Sequence, residues 1–408
     1  MTRCISLWVY SAIALIGALM TSCSGKSPDP NQHLSAGSAT IRATHASAFS
    51  KHSANMSGAE RILRFNLGND FFERAWVSQR ASTQSRDGLG PLFNNNACQN
   101  CHIKDGRGHA PQVSQTDNGH DFSSTLIRTI RRDITPDQRQ QMLNGTLAHV
   151  ELNSTGAQIQ HRANIGTSPE ARLRVSYKTH TVTLGDGTSV ELRQPLWHVI
   201  AHPNQKPLEQ HAVLSVRVAQ PMIGLGMLEA VNAEDILRHE DVTDENKDGI
   251  SGKANQVWNS ETNRVELGRF GWKAGQSTLR QQNAAAFVND MGLTSALQPN
   301  DNCQDHQLDC INRPNGNGDQ NDDYPFEVSN NIFNDIEFYS RNLAVPERRN
   351  AYSRDVLKGK ALFKKIGCDG CHIESFKTSQ HNIHLEQSEQ VIYPYTDLLV
   401  HDMGDALA

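Results

Sequence analysis

Two segments of this 408-residue chain carry the residue types best suited to chemistry, and they share one pattern. The first reads Leu92-Phe93, four residues, then Cys98-Gln-Asn-Cys101-His102. The second reads Leu362-Phe363, four residues, then Cys368-Asp-Gly-Cys371-His372. A glycine precedes each phenylalanine (Gly90, Gly359), and the two copies lie 270 residues apart. Cys-x-x-Cys-His is the attachment signal of a c-type haem. Two thiols at that spacing reach the two vinyl groups of one porphyrin, and the histidine that follows lies under the ring to ligate iron. Half of a zinc site or a thioredoxin-like redox pair would also use Cys-x-x-Cys. Neither needs the adjacent histidine, and neither explains a Leu-Phe at a fixed upstream offset. That Leu-Phe suits a short helix holding an aromatic ring against a macrocycle. The expected cofactor-binding residues are Cys98, Cys101, His102, Cys368, Cys371 and His372, with His102 and His372 on the metal.

The chain that must position these groups is long enough for two or three domains. Its net charge of −5 and 37% hydrophobic content are ordinary for a globular protein, and no dense Lys/Arg run marks a nucleic-acid surface. Arg3, the apolar run Ile5 to Met20 and the closing Thr21-Ser22-Cys23 read as a secretory signal of lipoprotein type over residues 1–23. Cys23 is then the lipidated first residue, with plain signal cleavage or an uncleaved anchor as the alternatives, and the protein is expected in the periplasm, tied to the outer membrane by lipid alone. No other apolar run has spanning length. Of the eight cysteines, Cys4 falls in the signal, Cys23 is the lipid site and four attach haem. Cys303 and Cys310 remain. An exported setting favours a disulfide closing a small loop; a catalytic pair of thiols is the alternative.

Residues 24–58 are rich in Ser, Ala, Gly, His and Asn, and are expected to form a flexible tether. Apolar spacing from Ile62 to Trp76 suits helix interrupted at Gly68. Residues 123–145 look helical, Pro136 to Leu143 most clearly. Alternation over Arg172 to Leu184, a Gly185-Asp186-Gly187 turn and a return from Ser189 predict a β-hairpin. Asp244-Glu-Asn246-Lys-Asp248-Gly249-Ile-Ser251 places oxygen side chains as a calcium loop opens, but Asn255 stands where the closing Glu would be. It reads as calcium bound in another way or as a polar turn closed by Asp and Asn. Helices are expected within 267–295 and over 329–343, and the acidic stretch Asn312 to Asp323 as a solvated connection. The fold expected is mainly α, with two cytochrome c-like haem domains (59–350 and 351–408) and a small inserted β element. Only 36 residues follow His372, fewer than a complete second domain is expected to need, so either the sequence is expected to continue or the second domain is abnormally short.

From about residue 60 onward the sequence resembles the di-haem oxidoreductase family, related to bacterial di-haem cytochrome c peroxidases and MauG-type enzymes. The resemblance rests on Gly90-Pro-Leu-Phe-Asn94, Lys104-Asp-Gly-Arg-Gly108, Pro221 to Glu229 and Asp248-Gly-Ile-Ser-Gly252. It continues in Leu267-Gly-Arg-Phe-Gly-Trp-Lys-Ala274, Asp290-Met-Gly292 and His401-Asp-Met-Gly404. It implies reduction of hydrogen peroxide or another small oxidant, one haem meeting the oxidant while the other stores an electron from a donor cytochrome or cupredoxin. By the same analogy the N-terminal haem meets peroxide and the C-terminal one receives electrons. Glu229 resembles a distal-pocket acid/base group; a helix-surface carboxylate is the plainer reading. Arg217 reads as a polariser of the O–O bond or as a structural arginine, Met403 as a sixth ligand unless that ligand lies outside this sequence, and Trp272 as an electron relay or a core residue. An electron-transfer cytochrome with both irons six-coordinate is the alternative class. Thiol oxidation through Cys303 and Cys310 is a third.

Overall fold

Helices, a two-stranded ribbon and a buried polar layer surround the first Cys-x-x-Cys-His segment in the computed structural model, which describes residues 29–79, 81–113, 120–313 and 325–404. The signal peptide, Cys4, Cys23 and most of the 312–323 stretch lie outside the described residues. The helices are α1 (Ala59–Glu73), α2 (Cys98–Cys101), α3 (Pro136–Leu143), α4 (Leu225–Glu229) and α5 (Ala233–Leu237). They continue as α6 (Leu279–Met291), α7 (Leu308–Ile311), α8 (Asn330–Asn342) and α9 (Arg354–Lys365).

Helix covers 27% and strand 21% of the described residues, so the mainly α expectation is wrong. Two cytochrome c-like haem domains are not shown either. Most of the strand lies between residues 120 and 270. Thr125–Arg131, grouped above with helical segments, is a strand paired antiparallel with Ala212–Val218. Its β-branched Thr125, Ile127 and Thr129 alternate into the interior, the pattern a pleated half-buried strand demands. Pro136–Leu143 is helical as read, opened by a Thr135–Gln138 capping box. The predicted hairpin is longer than expected. Ala171–Thr183 and Ser189–Ala201 pair over their full length, with Leu184 and Thr188 closing the turn. Ala171, Leu173 and Val175 bury its base beside Ile127 and Ile159, while its outer half is exposed on both faces.

α1 runs unbroken through Gly68. A Cβ there would lie 2.1 Å from the Asp335 carbonyl, so glycine serves close approach to α8 rather than a break. Thr278, Ser329 and Ser353 cap α6, α8 and α9, each hydroxyl accepting a backbone amide of the first turn. Residues 29–58, expected as tether, lie against the body: Ala36 and Ala39 are buried with Val231, Phe376 and Ile392, and His52 bridges to Leu343. Cys303 and Cys310 form the expected disulfide, with Cys310 buried. The 244–251 loop is a polar turn. Asp244 accepts the amide of Gly249, Asn246 that of Asp248, and Asp248 that of Ile250. Among the described residues no cluster of three His, Cys, Asp or Glu is placed to hold a metal ion.

Candidate haem-binding sites

At the first site, Cys98–Cys101 is one helical turn, and the His102 amide closes on the Cys98 carbonyl at 3.0 Å. Leu92-Phe93 is not helical here. It is a two-residue strand paired with Arg162–Ala163, and Gly90 fits because a Cβ would collide with Gly292. The ring nearest His102 comes instead from α1, where Phe72 lies 6.3 Å away and packs on Tyr339. His102 Nδ1 is 2.6 Å from the Gln220 carbonyl. Donation to that oxygen leaves Nε2 as the nitrogen with a lone pair. Burial holds the imidazole below its ordinary pKa, against the opposing pull of the Gln220 carbonyl. Cys101 Sγ lies 2.7 Å from the Ser123 carbonyl, and burial pushes both the Cys98 and Cys101 thiols up to about 12.

The second site repeats the essential geometry in a different setting. Cys368–Gly370 is a 3-10 turn, the His372 amide again closes on the first cysteine's carbonyl at 3.0 Å, and His372 Nδ1 is 2.9 Å from the Tyr395 carbonyl. Here Leu362-Phe363 is helical, as expected, and Phe363 itself lies 5.8 Å from the His372 ring. A cavity of about 190 Å³ opens beside them, lined by Lys360, Phe363, His372, Glu374 and Tyr395 among others. The Asp244–Ser251 turn docks against this site. Ile250 packs on Gly370, and the Ser251 carbonyl meets His401 Nδ1, whose Nε2 is 2.7 Å from Asp397.

Both motifs thus present two cysteines and a histidine whose second nitrogen is held by a backbone carbonyl, the arrangement that orients a histidine toward a metal. The family described as di-haem oxidoreductase, putative peroxidase, matches residues 31–408. The chain belongs to the di-haem oxidoreductase family. No curated protein and no solved structure matches it.

Other residues of this di-haem oxidoreductase stand apart from the two histidines. Glu229, at the end of α4, accepts the Leu279 amide at 2.7 Å through Oε1 and pairs with Arg341 through Oε2. Arg341 also holds Glu337 at 2.7 Å. Glu229 therefore secures the N-terminus of α6 and neutralises a buried guanidinium. Met403 is exposed. Trp272 is 44% exposed, not a core residue; it donates to the Val218 carbonyl at 3.0 Å and lies under Arg107. Among the described residues the fully buried tryptophan is Trp76.

Several groups that sequence reasoning passed over line the first site. Tyr339 donates to Asp105 at 2.7 Å, and both are buried, with the carboxyl raised by burial. Gln158 donates to Asn94 and Asp290, and Asn94 contacts His161 at 2.8 Å. Asn94, Asp105 and Asp290 fall within stretches quoted for the family resemblance, which was the signal available. The 220–231 segment reaches from the first site to the stretch that follows the second motif. It starts at the carbonyl that holds His102 and ends where Ala230 accepts the Ser379 amide and Val231 bridges to Thr378.

Proposed function

We propose that the chain attaches two c-type haems, through Cys98/Cys101 and Cys368/Cys371, and reduces hydrogen peroxide with His102 and His372 as axial ligands. The observation that carries this reading is the repeated Nδ1-to-carbonyl hydrogen bond, which fixes both imidazoles with Nε2 available to iron. When bound, haem supplies the electron storage and oxidant chemistry. The protein's own residues fix the ligands and control access. Gln220 and Tyr395 hold the imidazole tautomers, Phe72 and Phe363 pack beside them, and α1, α6 and α8 enclose the first site.

The buried first site suits controlled access of a small oxidant. The more open second site suits delivery of electrons by a donor cytochrome or cupredoxin. Glu229 remains the candidate acid/base group; to act, its carboxyl must release Arg341 or the Leu279 amide. Export, with Cys23 as lipid anchor at the outer membrane, completes the reading.

The test is mixing of the haem-loaded protein with hydrogen peroxide under stopped-flow optical detection, oxidised and half-reduced. Rapid peroxide loss with a change in the haem spectrum is expected. A spectrum that ignores peroxide in both states would make the protein an electron carrier. Glu229→Gln separates the two roles of that residue: slower turnover with an unchanged melting temperature marks proton transfer, whereas a lower melting temperature with normal turnover marks only the ion pair.

A further inference from the structure

The first site has a face of unexpected charge. The antiparallel register sets Arg128 opposite Ser215 and Leu126 opposite Arg217, so the two arginines are diagonal neighbours on one face of the ribbon. The other face, with Ile127, Leu214 and Val216, is committed to the apolar cluster under the long hairpin. A bridge from Arg128 to Gln158 extends the polar face by one strand. Gln158 reaches Asp290 at 2.9 Å and Asn94 at 2.6 Å, and the backbone carbonyl of Asp290 receives the amides of Asn94 and Asn95. Asn95 in turn donates to Cys101 Sγ at 3.6 Å. A chain of hydrogen bonds therefore runs from the strand beside Arg128 to the haem-attachment turn.

These cations are poorly neutralised. Among the described residues neither is ion-paired to a carboxylate, and the one hydrogen bond from either guanidinium is Arg217 Nε to Ser215 Oγ at 3.4 Å. Asp290 and Glu151 act on Arg128 from beyond ion-pair distance. Burial, reinforced by Arg128, lowers Arg217 to about 10. Two half-buried guanidinium groups side by side cost free energy unless an anion joins them. Arginine's planar fork matches a carboxylate in a bidentate manner.

We propose that Arg128 and Arg217 form the anchor for the propionate carboxylates of the haem at Cys98–His102. This rests on the haem reading above and adds the residues that hold the polar edge of the macrocycle. A cation at that edge favours the reduced iron and keeps the propionates ionised. Removing it should lower the midpoint of that haem and bring a propionate titration into the mildly acidic range.

The experiment is potentiometric titration of the di-haem protein across pH, for wild type, Arg217→Gln, Arg128→Gln and Arg217→Lys. Haem content is first verified by mass. Fewer than two covalent haems in the wild type would overturn the haem reading itself, before any variant is compared. With two haems present, the expected result for Arg217→Gln is one midpoint shifted downward and newly pH-dependent, the other unmoved, with Arg217→Lys restoring most of the shift. Arg128→Gln should act on the same haem. Neither midpoint moving, or both moving equally, would overturn the anchor. If Arg128→Gln fails to fold, the half-buried Arg217 pair of variants decides the question alone.

Discussion

The two Cys-x-x-Cys-His sites differ in almost everything except the motif and the carbonyl that holds the histidine. At the first, Leu92 is fully buried, Cys101 is nearly so, and α1, α6 and α8 close over the turn. At the second, α9 buries none of its residues, and Leu362 is 55% exposed. The same dipeptide is a strand in one place and part of a helix in the other. The aromatic ring beside the histidine is preserved but supplied differently, by Phe72 from a distant helix at the first site and by the motif's own Phe363 at the second. What the chemistry requires is an oriented imidazole and an adjacent ring. The local backbone that delivers them is free to vary.

The sharpest way to break this comparison is through function. His102→Gly is expected to lower peroxide turnover by at least about 100-fold, beyond the loss typical of outer-shell changes, while the optical spectrum of the second haem is retained. Equal loss of turnover with normal reduction of the first haem in His372→Gly would show that the two sites do not divide the work. Next come the motif leucines. Leu92→Ala is expected to cost about 3 kcal/mol in denaturant unfolding, as for a buried leucine, and Leu362→Ala under about 0.5 kcal/mol, as for an exposed one. Equal costs would mean that the second site is as enclosed as the first.

The motif glycines sharpen the contrast further. A Cβ on Gly90 would meet the Gly292 carbonyl at 2.2 Å, so Gly90→Ala should destabilise by roughly 1–3 kcal/mol. Gly359 has nothing within 4 Å and lies inside α9, so Gly359→Ala should stabilise by about 0.5–1 kcal/mol. Melting temperatures moving in opposite directions would support the contrast; two losses would contradict it.

A further effect concerns pH at the flank of the first site. Burial raises Glu170 to about 8, its oxygens receiving the Gln160 amide and the Gln307 side chain. The folded state keeps this proton while the unfolded chain, with an ordinary carboxyl, releases it. Stability should therefore fall as pH rises above the ordinary glutamate range and level off beyond about 8, with a slope of at most about 1.4 kcal/mol per pH unit. Glu170→Gln should flatten that dependence in urea titrations at several pH values, and an unchanged slope would remove Glu170 as its source.

The sequence by itself determined the two Cys-x-x-Cys-His motifs, the hairpin turn, helix over 136–143, within 267–295 and over 329–343, and the Cys303–Cys310 bridge as the favoured pairing. Each of these is written in local spacing, in capping residues or in a short loop closure. Folding decided the rest. The strand Thr125–Arg131 alternates β-branched residues but holds no helix breaker, and its place beside Ala212–Val218 followed from pairing across more than eighty residues. Gly68 looked like an interruption because a glycine that admits a neighbouring helix and a glycine that ends one read alike in sequence. Glu229 looked free because its partners, Arg341 and the Leu279 amide, are distant in the chain. The alliance of Arg128 with Arg217, and the choice of Phe72 over Phe93 beside His102, depend on strand register and helix approach. Those are long-range properties, set by which buried surfaces fit together, and local residue spacing does not encode them.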